Sequence, residues 1–228
     1  MGTGSFSRQG DSGRPSRPGE NESVPILLAR LEGSLAAIGS LREQAARIGD
    51  LAAALLQALR RGQTIYTAGN GGSAAQALHL AEELIGRYRG DRAPLRAVCL
   101  NADPTALTCI ANDFGYEQVF ARQCAALLRR GDVLLVLSTS GNSANLLEAL
   151  RAARRAGAVT AGLLGNGGGR CAALCDHAVC LEERDAAWVQ EAHQVLIHLV
   201  CELIEREFQA PPARAPADQP SPTRGAAR

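Results

Sequence analysis

The sequence predicts an α/β fold, a three-layer α-β-α sandwich around a five-stranded parallel sheet preceded by N-terminal helices. Three observations carry this. Short, nearly continuous apolar runs at Thr64–Thr67, Leu95–Leu100, Val133–Leu137, Val159–Leu164 and His177–Leu181 read as strands covered on both faces. Segments of helical periodicity separate them, which calls for parallel pairing through right-handed crossovers. Two of the runs feed glycine- and serine-rich turns, at 69–73 and 138–143, and such sheets bind ligands beyond the carboxyl ends of their strands.

Taken in order, residues 1–22 are rich in Gly, Ser, Arg and Pro without periodicity and read as a disordered tail. Residues 210–228 repeat that character, so the folded unit is expected to span 23–209. From Ile26 to Arg61 apolar residues recur at helical spacing, first Leu27, Leu28, Leu31, Leu35 and Ile38, then Ile48, Leu51, Leu55, Leu56 and Leu59. Gly39-Ser40 divides them into two helices. The first has apolar residues to spare, to be packed either on its own domain or on another subunit. The last helix, about Ala187–Phe208, is long and amphipathic.

Composition narrows the function. The 228-residue chain is 46% hydrophobic but only 4% aromatic, so its core is built from Ala, Leu, Val and Ile. A net charge of +1 does not point to nucleic acid or a membrane surface. No apolar run approaches the roughly 20 residues of a membrane span. The seven cysteines, scattered through apolar stretches, read as reduced thiols in a cytoplasmic protein. Cys171, Cys175 and Cys180 lack zinc-ribbon spacing and read as small core residues.

The chemistry concentrates in residues 68–88. Gly69, Gly71 and Gly72 follow a strand and open a helix, a place where backbone N–H groups and the helix dipole accept anions. His79 and Glu83, at i and i+4, share a face of that helix. The turn lacks G-x-G-x-x-G spacing and no Walker lysine follows, which disfavours a nucleotide and favours a phosphorylated small molecule. A second loop, Ser-Thr-Ser-Gly-Asn-Ser at 138–143, offers four hydroxyls at a strand-to-helix turn without fixed charge. It suits a phosphate monoester, the alternative being a serine-rich helix cap formed by Ser143.

These loops together resemble the sugar isomerase (SIS) domain family, and within it the phosphoheptose isomerases. The resemblance runs from about Ile26 to Phe208. It is carried by G-N-G-G-S at 69–73, H-L-A-E-E-L-I-G-R-Y at 79–88, N-D-F-G at 112–115, the 138–143 loop, and Q-E-A-H at 190–193 followed by His198. It implies that Ser138, Thr139, Ser140 and Ser143 hold a phosphate. It implies that Asn70, Gly71, Gly72 and Ser73 line the sugar end, that Asn112 and Asp113 contact its hydroxyls, and that Arg87 and Gln190 share the pocket. Glu83 and His198 would be the acid/base pair, and His79, Glu83, Gln190 and His198 would bind one zinc ion per subunit. The implied substrate is a phosphorylated seven-carbon sugar, sedoheptulose 7-phosphate, isomerised through an enediol in the first step of nucleotide-activated heptose synthesis. The implied assembly is a homotetramer with active sites at subunit interfaces.

The residues leave some alternatives open. Gln190 and His198, eight positions apart, drift ~80° around a helix and need a partner surface to converge, and His193, on the face of Gln190, competes as a ligand. Glu83 reads as base, zinc ligand or both. Asp185 lies near Gln190 in sequence, Trp188 reads as a packing residue, and Gly167-Gly168-Gly169 reads as a flexible loop. A non-catalytic SIS protein that binds a replication initiator, or an isomerase of another phosphosugar, is the competing function. Glu83 and His198 favour the enzyme.

Overall fold

The computed structural model describes residues 20–208, so the predicted tails lie outside the described residues except for 20–22, which begin the first helix. Helix α1 (Glu20–Gly39) leads through a 3₁₀ turn (Ser40–Arg42) into α2 (Ala45–Arg60), dividing at Gly39-Ser40. Alternation follows: β1 (Ile65–Gly69), α3 (Gly72–Ile85), β2 (Ala97–Cys99), α4 (Pro104–Phe114), α5 (Ala121–Leu127), β3 (Val133–Ser138), α6 (Ala144–Arg155), β4 (Val159–Leu164), α7 (Gly169–Ala172), β5 (His177–Cys180) and α8 (Ala186–Phe208). The five strands are all parallel, in the order β2-β1-β3-β4-β5. The predicted sandwich is present. β1 continues to Gly69, bringing the glycine turn directly onto the sheet's carboxyl edge, whereas β2 is shorter than its apolar run because it pairs on one side only.

Two apolar clusters cover the two faces of the sheet. Leu51, Leu55, Leu80, Leu84, Leu196 and Ile197 join α2, α3 and α8 over one face. Phe120, Cys124, Leu146, Leu147 and Leu150 join α5 and α6 over the other. β3, central in the sheet, is buried along its whole length, the double coverage expected of an apolar parallel strand. All seven cysteines are free, and burial pushes the thiols of Cys124, Cys175 and Cys201 up to about 12, so these remain protonated core residues.

The first helix corrects one expectation. Ser23–Arg42 is long and apolar enough, by length and composition, to cross a membrane. Its Ile26, Leu27, Leu28, Leu31 and Leu35 are all exposed, and the periodicity that marks it as amphipathic points outward as well as inward. It is attached to the start of α8. Arg30 pairs with Asp185 at 2.7 Å and stacks on Trp188, whose indole N–H donates to the Arg30 carbonyl. Asp185 also accepts from the backbone N–H groups of Ala187 and Trp188, capping α8.

Candidate active site

Both loops stand at the carboxyl edge of the sheet, one after β1 and one after β3, which are neighbours. The amide side chains of Asn70 and Asn145 bind each other reciprocally, at 2.9 and 2.8 Å, and so tie the glycine turn to the start of α6. Tyr116 O–H donates to Asn70 Oδ1 at 3.0 Å. Nothing in the sequence marked Tyr116 or Asn145 beyond their positions just after N-D-F-G and the serine loop.

Between the loops lies a cup of about 50 Å³ lined by Asn70, Ser73, Ser138, Thr139, Ser140 and Ser143, with Leu137 and Leu146 beneath. None of these residues carries a charge. Ser138 Oγ accepts from the Gly141 N–H and Ser140 Oγ from the Asn142 N–H, which closes the turn on itself. Ser143 occupies the N-cap position of α6 yet makes no side-chain capping bond, so its hydroxyl is left to the cup. Arrayed hydroxyls and the N-terminus of α6 can take an anion's oxygens without an opposing cation. The Gly167–Gly169 loop, expected to be flexible, is instead fastened to this turn. Cys171 N–H donates to the Gly141 carbonyl, Arg170 N–H to Asn142 Oδ1, and a Cβ on Gly141 would stand 2.2 Å from the Gly168 carbonyl.

Along α3 from the cup stands a second group. His79, Glu83 and His198 can each turn one ligating atom to within 4.8 Å of the others. His79 and Glu83 come together because one helical turn separates them, with Nε2 and Oε1 3.0 Å apart. His198 joins because α8 runs beside α3 in the same direction. The two imidazoles meet edge to face at 5.4 Å, and Tyr88 lies 5.6 Å from His198 on its other side. Two imidazoles and a carboxylate are a donor set that fits a divalent cation such as zinc.

The other predicted residues are placed differently. Gln190 contacts the start of α3. Its side-chain amide rests on Gly72, where a Cβ would stand 2.5 Å from Nε2, and its carbonyl accepts from Gln76 at 2.6 Å. It therefore borders the glycine turn. His193 is fully buried without a well-formed hydrogen bond at either ring nitrogen, and burial, only partly offset by the Leu164 backbone, pushes its pKa down to about 4. It faces the core rather than the histidine pair. Arg87, Asn112 and Asp113 are exposed, and α4, which carries the latter two, has no buried residue. Within one chain these three are not brought to the cup. The amide that does reach the two histidines is that of Gln194, which sequence reasoning passed over.

The frame of α3 is completed by residues far away in the chain. Arg92 donates to the carbonyls of Glu83, Leu84 and Ala93, satisfying the C-terminal end of α3. Glu205, buried near the end of α8, accepts from the N–H groups of Tyr88, Arg89 and Gly90 at 3.0–3.2 Å and lies 3.8 Å from Arg92 Nε.

The SIS domain profile matches residues 33–165. A phosphoheptose isomerase of Pelobacter propionicus is 46% identical over 169 residues, 74% of this chain and 89% of its own length. One from Streptomyces coelicolor is 47% identical over 180 residues, covering 78% and 77% of the two chains. Among solved structures, a phosphoheptose isomerase from Neisseria gonorrhoeae superposes with a TM-score of 0.73 at 38% identity, covering 82% of this chain and 98% of that one. Another from Francisella tularensis gives 0.75 at 30% identity, covering 81% and 98%.

Proposed function

The chain belongs to the SIS domain family, and we propose that it is a phosphoheptose isomerase, converting sedoheptulose 7-phosphate into D-glycero-D-manno-heptose 7-phosphate. The observation that carries this reading is the meeting of His79, Glu83 and His198 along α3 from an uncharged hydroxyl cup. Ser73 and His79 are six residues apart, about 9 Å of helix. A seven-carbon chain with a terminal phosphate extends roughly as far, judged from its bond lengths. A phosphate among Ser138, Thr139, Ser140 and Ser143 thus leaves C1 and C2 near the carboxylate.

The reaction takes a proton from C1, returns one to C2, and moves another from the C1 hydroxyl to the C2 oxygen. Nothing is oxidised or reduced overall. Glu83 Oε1 is held by His79, which leaves the second oxygen to work as the carbon base. His198 serves the two oxygens, since imidazole both donates and accepts. Asn70, Ser73 and Gln190 orient the sugar chain. His79, Glu83 and His198 would hold zinc, which when bound supplies Lewis-acid polarisation of the carbonyl.

The proposed assembly is a homotetramer, with Arg87, Asn112 and Asp113 completing a neighbouring subunit's pocket. The exposed leucines of α1 and the exposure of those three residues support it. A cytoplasmic location belongs to the same proposal. The deciding assay supplies sedoheptulose 7-phosphate to purified protein, with and without zinc, and follows the aldose phosphate by NMR. Turnover by the wild type that Glu83→Gln abolishes is expected. No turnover by the wild type under either condition overturns the reading.

A further inference from the structure

Asn70 brings a side-chain amide into the lining of the cup, and its neighbours fix how that amide stands. The backbone is held first. Asn101 accepts from the Gly69 N–H at 3.1 Å and donates to the Gly69 carbonyl at 3.0 Å, and the Asn70 carbonyl accepts from the Ser73 N–H at 3.0 Å. The side chain is held next. Asn70 Oδ1 accepts from Asn145 Nδ2 at 2.8 Å and from the Tyr116 O–H at 3.0 Å. A carbonyl oxygen has two lone pairs, so both are engaged. Asn70 Nδ2 gives one hydrogen to Asn145 Oδ1 at 2.9 Å, and among the described residues its second hydrogen meets no acceptor.

The two side chains that hold this amide differ in kind. Asn145 is buried in the first turn of α6, only 2% exposed, and belongs to the packing there. Tyr116 follows Gly115, whose φ of +88° turns the chain out of α4, a helix with no buried residue. Its side chain is 59% exposed, so burial of the ring gives little reason for an aromatic residue at this position. Its hydroxyl, by contrast, reaches back across 46 positions to the amide that lines the cup. We propose that Tyr116 is a positioning residue for phosphate binding. It acts through Asn70, holding the amide so that the remaining Nδ2 hydrogen is offered to a phosphate oxygen. The proposal rests on the reading of the cup as a phosphate site. The terminal torsion of asparagine is broad, so a second partner on Oδ1 narrows what Asn145 alone leaves loose. No cation lines the cup, and an anion there depends on how well each N–H and O–H is aimed. Gripping the phosphate is also how Asn70 orients the sugar chain that leaves it.

Affinity of the full-length protein for inorganic phosphate, followed by phosphorus NMR titration, tests this in the wild type, Tyr116→Phe, Asn70→Ala and the double variant. Tyr116→Phe is expected to weaken phosphate binding about three- to tenfold, the range of one neutral hydrogen bond. In the Asn70→Ala background the same change should alter affinity by less than about twofold, because Tyr116 has no other route to the ligand. In parallel, KM for sedoheptulose 7-phosphate should rise in Tyr116→Phe by a similar factor, with kcat held within about twofold. Urea unfolding confirms that each variant is folded. Phosphate affinity and the division between KM and kcat in Tyr116→Phe carry the test should Asn70→Ala fail to fold. A loss under about threefold in Tyr116→Phe, the full loss repeated in the Asn70→Ala background, a fall in kcat in place of the rise in KM, a Tyr116→Phe protein that does not fold, or a wild type that binds no phosphate overturns the proposal. The titration involves no turnover. An inactive protein with the expected phosphate affinities refutes the isomerase reading alone, and an active one whose phosphate affinity ignores Tyr116 refutes this positioning role alone.

Discussion

Replacing Glu205 should loosen the segment that follows α3. Its carboxylate is buried and takes three consecutive backbone N–H groups, those of Tyr88, Arg89 and Gly90, beside the guanidinium of Arg92. Hydrogen bonds to a charged group contribute about 1.5–3 kcal/mol each but do not add when they share an acceptor. Removing one partner of a buried ion pair costs about 3–5 kcal/mol, and that range fits Glu205→Ala, since three donors and a buried cation lose their acceptor together. Glu205→Gln keeps one oxygen and should cost less, about 1.5–3 kcal/mol. Urea unfolding at pH 7 measures both. For a domain of this size Glu205→Ala should lower Tm by about 6–20 °C. Burial alone would raise the carboxyl pKa, but the N–H donors of Gly90, Arg89 and Tyr88, with Arg92, outweigh it and hold the group below its ordinary 4.5. A depressed carboxyl stabilises the fold fully above the unfolded-state pKa and loses that contribution as pH falls through the folded-state value. The gap between wild type and Glu205→Gln should therefore be widest at neutral pH and close below about pH 4.5. A folded Glu205→Ala protein that loses under about 1 kcal/mol, or a gap that widens in acid, would refute the reasoning.

Three further outcomes are expected. Ser143→Ala should change stability by less than about 0.5 kcal/mol, because the hydroxyl caps nothing, yet raise KM for the phosphosugar about tenfold with kcat less affected. His193→Leu should be neutral or stabilising at neutral pH, since it replaces a buried imidazole that lacks a well-formed hydrogen bond with an apolar group of similar size. Burial lowers the His193 pKa from 6.5 to about 4, so the unfolded chain takes up its proton first. Wild-type stability should then fall as pH drops from about 6.5 towards 4, and the leucine variant should lose that part of the slope in urea titrations across this range. In a double-mutant cycle, Asn70→Ala and Asn145→Ala should couple by about 1–2 kcal/mol in unfolding free energy, and additive losses would contradict the reciprocal amide pair.

The parts of the site that were legible in the sequence were those made by local geometry. His79 and Glu83 meet because a helix brings i and i+4 together, and the two loops meet because parallel strands place their ends on one edge. The strands were found to within a few residues because buried parallel strands are apolar throughout, and the discrepancy at β2 reflects its position at the sheet's edge. What stayed hidden depends on long-range packing. Gln194 reaches His79 across 115 positions and Glu205 reaches Arg89 across 116, and no periodicity reports which face of α8 lies along α3. His198 was singled out through family resemblance rather than pattern. His193 lies close to the helical face of Gln190, but its own side chain is buried in the core while that of Gln190 borders the glycine turn, a difference that spacing alone could not show. The three glycines at 167–169 looked like slack because composition cannot show that a neighbouring loop leaves no room for side chains.

That crowding bears on how the pocket can change over generations. Gly69 would bring a Cβ 2.4 Å from the Ser73 carbonyl, Gly141 one 2.2 Å from the Gly168 carbonyl, and Gly165 one 2.4 Å from the Thr139 carbonyl. Main chain meets main chain at each place, so the walls consist of atoms that every amino acid shares. Substitution there can demolish a wall but cannot reshape it by degrees. Any change in what the cup accepts would have to proceed through the few polar side chains that line it, Asn70, Ser73 and the hydroxyls of 138–143, while the enclosure around them is inherited nearly unchanged.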